Sequence, residues 1–192
     1  YVSNGVYTLS QQISFSKALV IEGVGGYSNV VVDGNRAGRC FVVDHTSAVL
    51  RGLTITNGYV ASAEGGGVYL SRGTIRDCRI VGNYASNSFG GGISVYNLTA
   101  GITNFILNCR IEANTAVMGG GVSVRDAYWG DRVSAVIEDS DFIGNLATIA
   151  TNGGSGEPGG GAFYFQAKHA TLRRCRLINN TSDGNGNTGK SA

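Results

Sequence analysis

The chain has 192 residues with a formal net charge of +2; 42% are hydrophobic and 15% charged, which argues against disorder and gives no electrostatic case for nucleic acid. Gly is abundant, at 31 residues against a single Pro, but no Gly recurs at every third position, so collagen is excluded. No apolar run approaches the ~20 residues of a membrane-spanning helix, and twelve Arg against three Lys favour bidentate ion pairing over point-charge contacts.

From Tyr1 to Ile55, short β-rich runs follow one another: Val6–Leu9, Ile13–Phe15, Ala18–Glu22, Val30–Asp33, Cys40–Val43, Ala48–Arg51 and Leu53–Ile55. Gly, Asn, Ser or Asp punctuates most of the gaps, and no helical period appears. Residues 1–58 read as irregular first coils of a single domain that spans 1–192. Tyr1 leads directly into strand-like sequence, and no signal peptide is expected within these residues.

Residues 59–181 are more regular, and 182–192 form a polar tail. Gly65-Gly66-Gly67-Val68-Tyr69-Leu70 returns as Gly90-Gly91-Gly92-Ile93-Ser94-Val95, as Gly119-Gly120-Gly121-Val122-Ser123-Val124 and as Gly159-Gly160-Gly161-Ala162-Phe163-Tyr164. A second phrase, Asp77-Cys78-Arg79-Ile80-Val81-Gly82-Asn83, alternates with it and recurs to close at Asn114, Asn145 and Asn180, with spacings of 31, 31 and 35 residues. Two motifs alternating in fixed order mark a repeat architecture. Each repeat holds a strand after the glycines, a bend, a second strand, a third short strand and a turn at the asparagine. The loop from that turn to the next triple glycine varies, from tight at Thr115–Met118 to long at Leu146–Pro158.

One such coil cannot bury its inner face alone, whereas stacked coils with strands paired in parallel can. The expected fold is all-β: a single-stranded right-handed parallel β-helix, a segment of a longer secreted protein that lacks one or both caps. Right-handedness follows the rule for parallel crossovers. Apolar columns are expected at Val68, Ile93, Val122 and Ala162; at Leu70, Val95, Val124 and Tyr164; at Leu50, Ile75 and Leu172; and at Ile80, Ile111, Phe142 and Leu177.

Two polar columns read as structural. Asn83, Asn114, Asn145 and Asn180 form a ladder in which each amide bonds its own turn and the amide of the next coil. Cys78, Cys109 and Cys175, with Ser140 in the remaining place, are expected as buried free thiols. A metal site is not expected, because no CxxC spacing exists and His45 and His169 lie elsewhere.

Two sets of residues are candidates for function. Asp139 and Asp141, with Arg110, lie on a polar strip flanking the cysteine column. They would suit a pair of catalytic carboxylates or Ca²⁺ ligands; the alternative is a ladder of surface ion pairs, Arg110–Asp141–Arg176. Tyr69, Tyr96, Tyr128, Trp129 and Phe163 would suit sugar stacking or a protein contact, with Tyr69 and Phe163 pointing outward together. Lys168-His169 is expected in a bend.

Gly160-Gly161-Ala162-Phe163 and Phe142-Ile143-Gly144-Asn145 fit the alternating GGA and FxxN motifs of the polymorphic outer-membrane proteins of chlamydiae, which the chain resembles. The other copies depart from it, with GGG for GGA and Ile or Leu for Phe. The looser pattern, with Gly5-Val6-Tyr7, Ile21-Glu22-Gly23 and Gly52–Gly58, is similar to secreted bacterial proteins related in fold to pectate lyases. The first resemblance implies an autotransporter passenger built as a right-handed β-helix at the outer membrane, engaged in surface display, adhesion or carbohydrate contact. The expectation is a non-enzymatic secreted or cell-surface segment, an adhesin or stalk without cofactor, contacting a glycan, a host or neighbouring-cell surface protein, or further β-helix coils. A polysaccharide lyase or glycoside hydrolase working on the outer face, where Ca²⁺ could enter, and a carbohydrate-binding module are the alternatives.

Overall fold

Among the described residues every strand pairing is parallel, and each joins one coil to the next. The computed structural model describes residues 1–96, 99–126, 133–148, 159–167 and 169–183. Its strands form three sheets of ten, seven and five strands that wind about a common apolar interior. The fold is a parallel β-helix. Among the described residues no helix is long and apolar enough to cross a membrane.

One coil shows the path. Val122–Arg125 and Val133–Glu138 lie in the ten-stranded sheet, Asp141–Ile143 in the seven-stranded sheet and Leu146–Ala147 in the five-stranded sheet, before Phe163–Gln166 begins the next coil. The seven-stranded sheet runs without a break from Gly5–Thr8 to Arg176–Ile178, so the opening coils join the same stack as the repeats.

The strand count per coil differs from the expectation. Thr115–Met118 is not a tight loop but a strand, paired with Tyr84–Phe89 and Leu146–Ala147. These fourth strands are short, and Ala85, Ala116 and Ala147 supply only a methyl each to the interior. Their periodicity is therefore too weak to read. Conversely, Val68–Arg76 is one strand where a bend is expected, as is Phe41–Arg51, read from sequence as two strands. His169 lies in the strand His169–Arg173, not in a bend; Lys168 lies outside the described residues.

Inward columns follow the register. Phe41, Val68, Ile93, Val122 and Phe163 stack; so do Val43, Leu70, Val95, Val124 and Phe165. Leu50, Ile75, Ile106, Ile137 and Leu172 form a third column, and Ile55, Ile80, Ile111, Phe142 and Leu177 a fourth. Each fully buried Ile or Leu contributes roughly 1.5–3 kcal/mol from its removal from water.

The last repeat sits one residue away from the expected register. Gly160-Gly161-Ala162 takes the place of Gly119-Gly120-Gly121, with Gly121 N donating to Gly161 O and Val122 N to Ala162 O, both at 2.9 Å. Phe163 and Phe165, not Ala162 and Tyr164, thus continue the apolar columns.

Close approach explains most of the glycines. In the first three triplets only the leading residue, Gly65, Gly90 or Gly119, has positive φ, between 65° and 71°. The other two are excluded from carrying side chains by the neighbouring coil: a Cβ on Gly91 would lie 2.4 Å from Thr115 O and 2.5 Å from Gly120 O.

Candidate functional site

The chain leaves the ten-stranded sheet through a one-residue bend. Asp77, Asn108, Asp139 and Arg174 hold this position with φ between 49° and 52°, and Gly52 holds it in the preceding coil with φ 67°. Asp, Asn and Gly are the residues best suited to left-handed backbone, so this column is set first by conformation. It lies outside the column Leu53, Cys78, Cys109, Ser140, Cys175, which is buried except at Cys175.

The cysteines are free thiols, with Cys40, Cys78 and Cys109 buried. Burial pushes the Cys40 and Cys78 thiols up to about 12, and that of Cys109 well above its usual value. Ser140 substitutes as a polar rung: its Oγ accepts from Cys109 N at 3.0 Å and donates to Glu138 O at 2.8 Å.

The outer face of the seven-stranded sheet carries the column Val31, Thr54, Arg79, Arg110, Asp141, Arg176. Its charges are paired. Asp141 receives both Nε and a terminal nitrogen of Arg176, and Asp139 is gripped by Arg174 at 2.6 and 2.9 Å. Arg173 and Arg174 share Glu138. The hydrogen bonds from Arg174 and Arg176 hold Asp139 and Asp141 below the usual carboxylate range.

The expected Arg110–Asp141 pair is a correction. Arg110 instead bonds Glu112, as does Arg79. Positions two apart on a strand share a face, so Glu112 lies beside Arg110, while Asp141, opposite Arg110 in the next coil, is taken by Arg176. Burial raises the Glu112 carboxyl, but the hydrogen bonds from Arg110 and Arg79 outweigh it and leave it below its ordinary value. Arg110, Asp139 and Asp141 therefore do not converge on one point; each has a different partner. An acid–base pair needs one carboxyl held protonated by its surroundings, and both of these are held ionised.

Of the aromatic candidates, Phe163 is turned inward. It packs on the core with its ring 4.0 Å from that of Phe142, a consequence of the one-residue register difference. Tyr164 takes the outward place beside Ser123, in the column that runs through Val42, Tyr69 and Ser94. Tyr69 and Tyr96 lie 6.5 Å apart between ring centroids, with Arg39 over Tyr69 at 5.2 Å. Burial, then the charge of Glu64 and the neighbouring Tyr96, push the Tyr69 phenol up to about 12 against the opposing effect of Arg39.

The loop that carries Glu64 reaches over this surface. Arg125 lies 3.6 Å over the Phe89 ring and 5.5 Å from that of Tyr96, and it forms an ion pair with Glu64. Glu64 Oε2 accepts from Ser94 Oγ at 2.8 Å, and Ser94 and Ser123 are fully buried although they sit on the outward side of their strands. Tyr69 and Tyr96 thus pack with the chain's own arginines. Tyr128 and Trp129 lie outside the described residues.

Among the described residues, no group of three or more His, Cys, Asp or Glu is placed to hold a metal ion. Sequence reasoning missed Glu112, Glu64 and Tyr27. The signal for Glu112 was its place two residues from Arg110; Glu64 and Tyr27 sit in loops, whose approach to the sheets has no periodic signal.

The solved structures include a similar chain, a pectin methylesterase from Aspergillus niger. It is 13% identical at a TM-score of 0.37, over 100% of this chain and 78% of that one. At that score the similarity carries no argument about chemistry. No protein-family model matches the sequence, and no curated protein matches it.

Proposed function

We propose that this chain is a non-enzymatic segment of a right-handed β-helix, secreted or displayed on a cell surface, that works as a stalk or adhesin through contacts on its outer faces. The observation that carries the reading is the commitment of the polar strip to itself: Asp139 to Arg174, Asp141 to Arg176 and Glu112 to Arg79 and Arg110. Charges in mutual pairs make a regular, hydrated surface and a weakly reactive one. The stacked asparagines and apolar columns support a stiff rod, as a display element requires.

The test is a turnover screen against neutral and uronate-containing polysaccharides, with and without Ca²⁺, comparing the wild type with the Asp139→Asn/Asp141→Asn double variant. The expected result is no new reducing ends and no unsaturated product from either protein, together with retention of the folded chain on intact cells. Turnover by the wild type that disappears in the double variant would replace this reading by the enzymatic one.

A further inference from the structure

The turn at residues 23–29 stands over the seven-stranded sheet and walls a shallow groove. It is internally braced: Gly26 N donates to Gly23 O at 3.3 Å, Asn29 N to Gly26 O at 3.1 Å and the Asn29 side-chain amide to Gly25 O at 2.8 Å. Thr54 Oγ1 ties it to the sheet by donating to Tyr27 O at 2.8 Å. The groove is lined by Tyr27, Ser28, Val31, Thr54, Arg79 and Arg110. Tyr27 is 38% exposed and Ser28 is also exposed, so the turn offers a ring and a hydroxyl.

The facing wall is cationic and pre-oriented. The Arg79 and Arg110 side chains are 41% and 46% exposed, and both are anchored on Glu112, which is only 10% exposed. Arg110 spends its Nε on that carboxylate, and Arg79 its Nε and one terminal nitrogen. The two terminal nitrogens of Arg110 and the remaining one of Arg79 have no hydrogen-bond partner among the described residues. Arg79, Arg110 and Arg176 against Glu112 and Asp141, the latter opposite Arg110 and held by Arg176, leave one excess positive charge along this strip.

We infer that this groove binds a carboxylate-bearing saccharide. A guanidinium with both terminal nitrogens free presents a fork that matches a carboxylate. The exposed Tyr27 ring gives a flat amphipathic surface for a sugar ring, and the Ser28 hydroxyl is within the same lining for ring hydroxyls. A shallow polar groove with one aromatic wall fits a hydroxylated ring better than an extended acidic peptide, for which the tyrosine has no specific use. This assignment rests on the reading of the outer face as a contact surface and gives it a location and a ligand class.

The experiment is titration calorimetry of the full chain with hexagalacturonate, its methyl ester and hexaglutamate as probes. Variants are Tyr27→Ala and Arg110→Gln in the groove, and Arg176→Gln on the same face outside it, with folding checked by circular dichroism. The expected result is binding of hexagalacturonate that weakens at least tenfold in Tyr27→Ala and Arg110→Gln, persists in Arg176→Gln and is absent with the methyl ester. Should Arg110→Gln misfold, Tyr27→Ala decides, since its side chain is at the surface. Absence of binding, equal binding of the methyl ester or of hexaglutamate, or indifference to Tyr27→Ala would each overturn the assignment. Cell retention measured in parallel separates the two claims: a chain that fails with the saccharide yet stays on cells removes the groove and leaves the contact surface.

Discussion

Asn114 and Asn145 are joined twice through one oxygen: Asn145 Oδ1 accepts from Asn114 Nδ2 at 3.0 Å and from Asn114 N at 3.1 Å. The same pair of bonds links Asn83 to Asn114 and Asn145 to Asn180, and each Nδ2 also reaches a carbonyl of the preceding coil, such as Ile80 O for Asn114 at 2.9 Å. Asn114→Ala would leave Asn83 N without its acceptor and take one bond each from Ile80 O and from Asn83 Nδ2, which keeps Ile55 O at 3.0 Å, in a dry interior. At roughly 1–3 kcal/mol for a buried group left unsatisfied and less for each group that loses one of two bonds, a loss of about 2–4 kcal/mol is expected in urea unfolding. Asn180→Ala, at the partly exposed last rung, should cost clearly less. Equal losses at the two positions would show that burial is not the source of the effect.

A second prediction concerns the residue before each rung. Asn57, Gly82, Ala113, Gly144 and Asn179 all have φ between 51° and 65°. Ala113 is the one with a Cβ and no polar side chain to compensate. Ala113→Gly should therefore raise stability by about 0.5–1 kcal/mol, the relief of left-handed strain exceeding the extra backbone entropy of glycine. The reverse change, Gly144→Ala, should cost about as much, 0.5–1 kcal/mol, the strain again being offset in part by the lost glycine entropy. A Cβ there meets nothing within 4 Å, so backbone conformation is the sole term. Thermal melts of the two variants moving in the same direction would contradict this account.

These positions also show what the sequence could and could not convey. Ile80, Ile111, Phe142 and Leu177 announce their stack because side chains of one kind recur at one place in every coil. The register of the last coil was ambiguous because Gly159, Gly160 and Gly161 offer two ways to align three glycines; the backbone bonds from Gly121 and Val122 choose the second. Asp77, Asn108 and Asp139 look like a chemical strip in a column of letters, yet their shared positive φ makes them bend residues first. The partner of Arg110 was decided by the reach of a side chain, which column reading does not contain.

Glu112 provides the third prediction. Glu112→Gln keeps the shape but removes the charge between Arg79 and Arg110, so a loss of about 1–2 kcal/mol is expected at neutral pH, the partly exposed guanidiniums limiting the effect. The Glu112, Asp141 and Asp77 carboxyls are depressed in the folded chain. A depressed group stabilises the fold above its unfolded value, about 3.9–4.3, and that stability is lost as pH falls through the folded value. The melting temperature should stay nearly flat from about pH 5 to 8 and fall below about pH 4, with a shallower fall in Glu112→Gln. Parallel acid limbs for the variant and the wild type would remove Glu112 from the explanation.

The cysteine column gives the fourth prediction, at the opposite end of the pH range. The Cys78 and Cys109 thiols are fully buried or nearly so, whereas Cys175 in the last coil is partly exposed. Only the thiolate reacts, and it must be reachable. Native protein treated with a chromogenic disulfide reagent near pH 8 should show one fast thiol, Cys175, and all four after denaturation; Cys175→Ser should abolish the fast phase. The same burial raises the thiols of Cys40 and Cys78 to about 12. The folded chain keeps these protons while the unfolded chain releases them above about 8.5, so stability should decline as pH rises past that value. Cys78→Ala should flatten this alkaline decline while costing some packing at neutral pH. A fast reaction at Cys78 or Cys109 in the native chain would mean that the coils open locally at the bend, and the thiol protons would then no longer account for the alkaline limb.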